Sequence, residues 1–200
     1  MTSRGIAILL LAAGASSRMG GIKQLLPWKG RPLINHMLHT ALSLDATEVL
    51  VVLGAHAEAI RKVLEGNTPY GLVVNDRWEE GLGSSIACGL DQLLSGPGEI
   101  KGVLIMLCDQ PLMDARYLNQ LIAAFQEGAT TIVATRYEDR LGVPALFGSG
   151  YFPELLKLRK DFGARELLRQ QKNACIALDA GEKIRDMDTR DAYKRLLRLS

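Results

Sequence analysis

Residues 9–32 read LLLAAGASSRMGGIKQLLPWKGRP. An apolar run stops at a loop crowded with small residues, Arg18 and Lys23 follow, and a turn bounded by Pro27 and Pro32 closes the stretch. The apolar run begins at Ile6, and so long an uninterrupted run predicts a central strand covered on both faces. Further along, residues 32–44 have helical spacing, with Leu33, Met37, Ala41 and Leu44 on one face. Residues 48–54 and 102–109 read as two more buried strands, 71–75 and 130–135 as shorter ones, and 57–64, 84–94 and 114–125 as the helices between them. This alternation predicts an α/β fold, a doubly wound and mostly parallel sheet with helices on both faces. After Thr135 the order loosens into a turn with a returning strand, two short helices over 151–170 and a late strand at 174–178. Asp188 or Thr189 then caps a closing helix over 190–199.

The chain has 200 residues, enough for one domain with a real core. A formal net charge of +2 is too small to imply nucleic acid or a membrane surface as partner. The apolar run is too short to span a bilayer, and it lacks the basic flank of a signal peptide. Cys88, Cys108 and Cys175 form no CxxC pair and each sits in or beside an apolar stretch, which predicts buried free thiols and a cytoplasmic protein. His36 and His39 share a helix face without a third ligand, so zinc is not expected there. Trp28 reads equally well as a pocket wall or as a half-buried turn aromatic.

In open α/β sheets ligands sit beyond the carboxyl ends of the strands, which is where the loop after Ile6–Ala12 falls. Leu11 is near the end of the run, and Ala12, Ala13, Gly14 and Ala15 offer amides with little side chain in the way of a base or phosphate. Arg18 is a planar fork and Lys23 a point charge for anionic oxygens. Together they point to a nucleoside triphosphate. A Walker loop would need Lys directly after Gly and before Ser or Thr, whereas Lys23 lies between Ile22 and Gln24; Gly-x-Gly-x-x-Gly is absent.

The string 11–33, LAAGASSRMGGIKQLLPWKGRPL, closely resembles the signature of the molybdenum-cofactor nucleotidylyltransferases, most nearly the cytidylyltransferase type, with LAAG where the guanylyl branch has LAGG. NDRWEEGLGSSIACGL (75–90), CDQP (108–111), FGAREL (162–167) and DMDTRDAY (186–193) resemble further blocks of that family in the same order. The resemblance implies a single nucleotidyltransferase domain over 1–200, with a nucleotide-binding part over 1–135, an acceptor-side elaboration over 136–185 and the closing helix over 186–200. It implies that Ala12–Gly14 and the segment with Asn75, Gly81, Gly83, Ser84 and Ser85 read the base and ribose. Plain capping of the following helix by Ser84 is compatible with that role. Asp109, at the end of a buried strand, is expected to hold a magnesium ion bridging triphosphate oxygens, with a turn cap as the alternative. A second carboxylate is expected from Asp186 or Asp188, with Asp186 slightly favoured.

The reaction so implied moves CMP from CTP to a phosphate of the molybdopterin cofactor. Arg18 would meet the leaving β,γ-phosphates and Lys23 the α-phosphate, and no general base is needed. Gln110, Gly142, Pro144 and Arg165 fall in the acceptor-side region, and Arg140, Arg159 and Lys160 are further cations there. Related sequences often have Gly-His-Pro where this one has Gly142-Val143-Pro144, so a sugar or polyol phosphate is the rival acceptor. A cofactor-binding chaperone without chemistry is a second rival, and a molybdoenzyme apoprotein is the implied recipient of the product.

Overall fold

The computed structural model describes residues 5–66, 69–125, 131–159 and 163–199. The first strand, β1 (Ile6–Ala12), is buried along its whole length. It is followed by a two-stranded ribbon, Pro27–Trp28 with Arg31–Pro32, then α1 (Leu33–Leu42), β2 (Glu48–Leu53), α2 (Ala57–Arg61), β3 (Gly71–Val74), α3 (Leu82–Leu94) and β4 (Gly102–Leu107). Next come α4 (Ala115–Ala124), β5 (Ile132–Tyr137), β6 (Arg140–Gly148), α5 (Phe152–Leu156), α6 (Arg165–Gln170), β7 (Cys175–Asp179) and α7 (Arg190–Leu197). Among the described residues one sheet holds these seven strands in the order β3-β2-β1-β4-β6-β5-β7. β6 alone runs against its neighbours, and every other pairing is parallel.

Strand periodicity divides the core in two. Ile6, Ile8 and Leu10 face one layer with Leu33 and Met37 of α1, Leu118 and Leu121 of α4 and Leu196 of α7. Ala7, Leu9 and Leu11 face the other, with Ile86 and Leu90 of α3, Leu155 of α5 and Leu168 of α6. A central strand between two helical layers has no polar face, which is why residues 6–12 read as a continuous apolar run. Each such leucine or isoleucine contributes about 1.5–3 kcal/mol by leaving water.

The expected elements are present with shifted ends. α2 stops at Arg61, three residues short of the expected 64, and the Val63 carbonyl accepts from Asn35 Nδ2 at 2.8 Å instead of from a further helical turn. α3 starts at Leu82, two residues early, so Ser84 is not its cap: the Ser84 hydroxyl lies inside the first turn and donates to the carbonyls of Gly81 and Arg77. Thr189, not Asp188, caps α7, its hydroxyl accepting from the Ala192 amide at 3.1 Å. Trp28 is buried against His36 and belongs to the core. Of the three free thiols only Cys108 is fully buried, while Cys88 and Cys175 are half-buried. Residue 130, Lys160 and Phe162 lie outside the described residues. Among the described residues no helix is long and apolar enough to cross a membrane.

Candidate active site

β1 and β4 are adjacent and parallel, so the loop after Ala12 and the carboxylate of Asp109 emerge side by side at the carboxyl end of the sheet. Between them, α3 and Trp78 lies a cleft of about 370 Å³, lined by Leu11 through Ala15, Lys23, Gly81, Ser85 and Asp109 among others. Of the expected nucleotide contacts, Arg18, Asn75, Gly83 and Ser84 are not in that lining. Asn75 and Ser84 are spent on structure: the Asn75 amide donates to the hydroxyls of Ser84 and Ser85 at 2.9 and 3.0 Å, bracing the wall from behind. Gly81 has φ +97°, a backbone conformation that favours glycine, and turns the chain into α3.

Inside the loop every carbonyl from Ala12 to Ala15 is tied to the protein. Gln24 Nε2 donates to Ala12 and Gly14 at 3.1 and 3.0 Å, the Ala55 amide to Ala13 at 3.1 Å, and His56 Nε2 to Ala15 at 3.0 Å. Ser16 Oγ donates to Gln24 Oε1 and accepts from the Lys23 amide, closing the loop on itself. Among the described residues no protein acceptor takes the amides of Gly14 and Ala15, and both residues are exposed. A Cβ at Gly14 would meet no protein atom within 4 Å, so packing does not demand glycine there. By contrast, a Cβ at Gly54 would come to 2.7 Å from both the Ala13 carbonyl and Trp78 Cβ, so glycine there lets β2 press the loop into place.

Lys23 Nζ lies between two carboxylates, 2.5 Å from Asp109 Oδ2 and 3.2 Å from Asp188 Oδ1. Burial pulls the ammonium pKa down, but Asp109 and then Asp188 outweigh it and hold the pKa above the ordinary lysine value. Arg18 Nη2 reaches the other oxygen of Asp188 at 2.9 Å, with its side chain 70% exposed. Asp186 lies within electrostatic reach of this cluster but bonds elsewhere: its Oδ1 accepts from Gln110 Nε2 at 2.9 Å. Desolvation by the surrounding walls raises its carboxyl pKa, although the side chain keeps an open side, and the like charges of Asp109 and Asp188 raise it further. Burial pushes the Cys108 thiol far up, so it is an inert part of the floor.

A second, smaller cavity of about 150 Å³ adjoins the cleft across Leu82 and Leu107, and takes in Gln110, Gly142, Arg165 and Asp186. Pro144 is not in its lining: its carbonyl accepts from Thr135 Oγ1 at 2.6 Å within the irregularity between β5 and β6. Arg140 is in the lining, over the Tyr137 ring at 4.9 Å, whereas Arg159 folds back on the carbonyls of Leu156 and Leu158. Gln24, His56 and Tyr137 were not singled out in the sequence. Gln24 carried one signal, an amide set in an otherwise apolar stretch; the other two carried none.

The donor set fits a hard divalent cation: all its candidate ligands are carboxylate oxygens, and Asp109 Oδ1 is buried without a protein partner. Among the described residues no three His, Cys, Asp or Glu side chains converge as a ready cage, and a cation shared with phosphate oxygens needs only one or two carboxylates. His36 faces the Pro111 carbonyl and His39 pairs with Glu65.

A family model described as the MobA-like NTP transferase domain matches residues 8–175. The chain belongs to that family. It is thus a nucleotidyltransferase by family, a class acting on small-molecule nucleotides. It is 34% identical to the nicotine blue oxidoreductase of Paenarthrobacter nicotinovorans, over 94% of this chain and 95% of that protein. It is 31% identical to the purine catabolism protein PucB of Bacillus subtilis, over 95% of each. The crystal structure of Rv0371c from Mycobacterium tuberculosis superposes with a TM-score of 0.85 at 32% identity, covering 99% of this chain and 100% of that one. A further structure of Rv0371c is a complex with manganese, at a TM-score of 0.80 and 29% identity, covering 98% of this chain and 99% of that one.

Proposed function

We propose that this protein transfers a cytidylyl group from CTP to the phosphate of the pterin-based molybdenum cofactor, releasing pyrophosphate. One observation carries the nucleotide half. The Ala12–Ala15 carbonyls are all tied back while the Gly14 and Ala15 amides stay open, beside a lysine set between two carboxylates. Amides and cations converging at the end of a strand suit a triphosphate. The choice of cytidine and of the pterin acceptor rests on the LAAG signature and the motif order.

Joining two anions requires that their repulsion be offset by positive charge. Lys23, largely buried, is set for the α-phosphate, where charge develops, and the more exposed Arg18 for the departing β,γ-phosphates. Asp109 and Asp188 are the residues that would hold a divalent cation. That cation, when bound, would neutralise triphosphate oxygens; the manganese in Rv0371c supports a divalent ion of that kind. Phosphate oxygens arriving at Lys23 take over from the two carboxylates as its partners. A phosphate monoester is largely dianionic at neutral pH, so the acceptor attacks without a protein base. A molybdoenzyme apoprotein would take the product.

The test is pyrophosphate release from CTP by the purified protein, with the molybdenum cofactor, a hexose phosphate or no acceptor. Release that depends on the molybdenum cofactor is expected. Release with the sugar phosphate alone moves the acceptor to that class. The relative named as an oxidoreductase supplies the contrary arm, since nicotinamide-coupled reduction without pyrophosphate release would displace the transferase reading.

A further inference from the structure

Resting on the reading that the smaller cavity takes the acceptor, we propose that Asp186, braced by Gln110, is a specificity-determining residue. It would accept hydrogen bonds from the N–H edge of a planar amino-heterocycle, and it would not belong to the cation clamp. The partner sets separate the two roles. Asp109 and Asp188 both bind Lys23, whereas the hydrogen bond of Asp186 comes from Gln110 in the cavity wall.

The side-chain protons of the neutral polar groups in that wall are committed. Gln110 is 1% exposed, and its amide donates to Asp186 Oδ1 and, at 2.7 Å, to Tyr137 Oη. The Tyr137 hydroxyl in turn gives its proton to the Val143 carbonyl. Neutral side-chain donors are thereby used up and acceptor capacity is left over: among the described residues nothing bonds the second oxygen of Asp186, an exposed residue, and Gln110 Oε1 is buried and unpartnered. Leu82, Leu107, Val143 and Ala164 make the rest of the lining apolar, and Arg140 and Arg165 add two cations. A polyol carries mixed donors and acceptors around its whole rim and would leave many of them against apolar wall. A flat ring with apolar faces, an N–H edge and a phosphate satisfies all three features: the walls, the carboxylate and the arginines.

The experiment measures binding of free pterin (2-amino-4-oxopteridine) and of lumazine (2,4-dioxopteridine) from their own fluorescence. Wild type and Asp186→Asn are compared with and without magnesium and the α,β-methylene analogue of CTP, and the melting midpoint reports folding. Asparagine keeps an oxygen for Gln110 but offers the ligand an N–H₂ group in place of an acceptor. The expected result is tighter binding of pterin than lumazine by wild type. In the variant, pterin affinity falls at least tenfold and the preference shifts toward lumazine, whose C2 oxygen accepts where pterin donates. A mere loss of packing would weaken both ligands alike and would overturn the proposal. So would unchanged pterin affinity in the variant, or a variant that instead loses magnesium-dependent nucleotide binding, which would put Asp186 in the cation clamp. A wild type that binds the nucleotide but not pterin overturns this inference alone. A wild type that binds no nucleotide strikes the functional reading, and the pterin arm still decides the role of Asp186 independently.

Discussion

The two cavities that share Leu82 and Leu107 differ in how much of each comes from one stretch of chain. The nucleotide cleft has a local half, in which Ala12 to Gln24 supply the backbone amides, the largely buried lysine and the glutamine that fastens the loop, and a distant half of Trp78, Ser85 and Asp109. The acceptor cavity draws Gln110, Tyr137, Arg165 and Asp186 from four separate places in the chain. Its polar contacts run from residue to residue across 27 and 76 positions. A site made of neighbours tolerates little change in spacing. A site assembled at long range can alter one member, as Val143 does, and keep its frame.

The sharpest way to break this contrast is at Lys23. Lys23→Ala should cut pyrophosphate release by hundreds-fold or more, about 3–4 kcal/mol of lost transition-state stabilisation. A variant that keeps near wild-type rate would remove the lysine from the chemistry. Next in size is Gln24→Ala, which leaves two loop carbonyls without their donor and opens a small void. It should lower stability by about 1–3 kcal/mol and raise the KM for nucleotide, read by melting and by initial rates. Gly54→Ala presses a methyl group against the Ala13 carbonyl and should cost about 1–3 kcal/mol in the same melting assay; the comparable change at Gly14, with open space around it, should leave the melting midpoint in place and affect ligand binding alone.

The smallest expected effect belongs to the other cavity. The folded-state pKa of Asp186 is raised above 3.8, so ionising it costs more in the folded chain than in the unfolded one. Wild-type stability relative to Asp186→Asn should therefore be highest below pH 3.8. It should decline as the pH rises through the folded-state pKa and then stay level up to neutral pH. A difference that does not change with pH would mean that the carboxyl is not crowded.

The same contrast explains what the sequence disclosed. Strands 6–12, 48–53 and 102–107 were legible because burial on both faces leaves long apolar runs, broken at the second strand only by its first residue, Glu48. Lys23, Asp109 and Asp188 were legible as candidates because they sit in or beside short motifs at strand and helix ends. What was not legible was side-chain commitment. Nothing in NDRWEEGLGSS tells that Asn75 and Ser84 brace a wall while Ser85 reaches the cleft, since that depends on where α3 starts. The bond from Arg18 to Asp188, 170 residues away, and the relay from Tyr137 through Gln110 to Asp186 join residues whose proximity only the sheet order creates.

The central claim, a triphosphate held by the β1 loop, Lys23 and a carboxylate-bound cation, is tested most directly by a thermal-shift titration. Wild type and Asp109→Ala are each heated with CTP, GTP, ATP or UTP, with and without magnesium. A ligand at one hundred times its dissociation constant adds about 2.7 kcal/mol, enough to move the midpoint visibly. The predicted result is a magnesium-dependent rise that is largest with CTP and lost in Asp109→Ala. No rise with any nucleotide, or a rise that needs neither the metal nor Asp109, would contradict it.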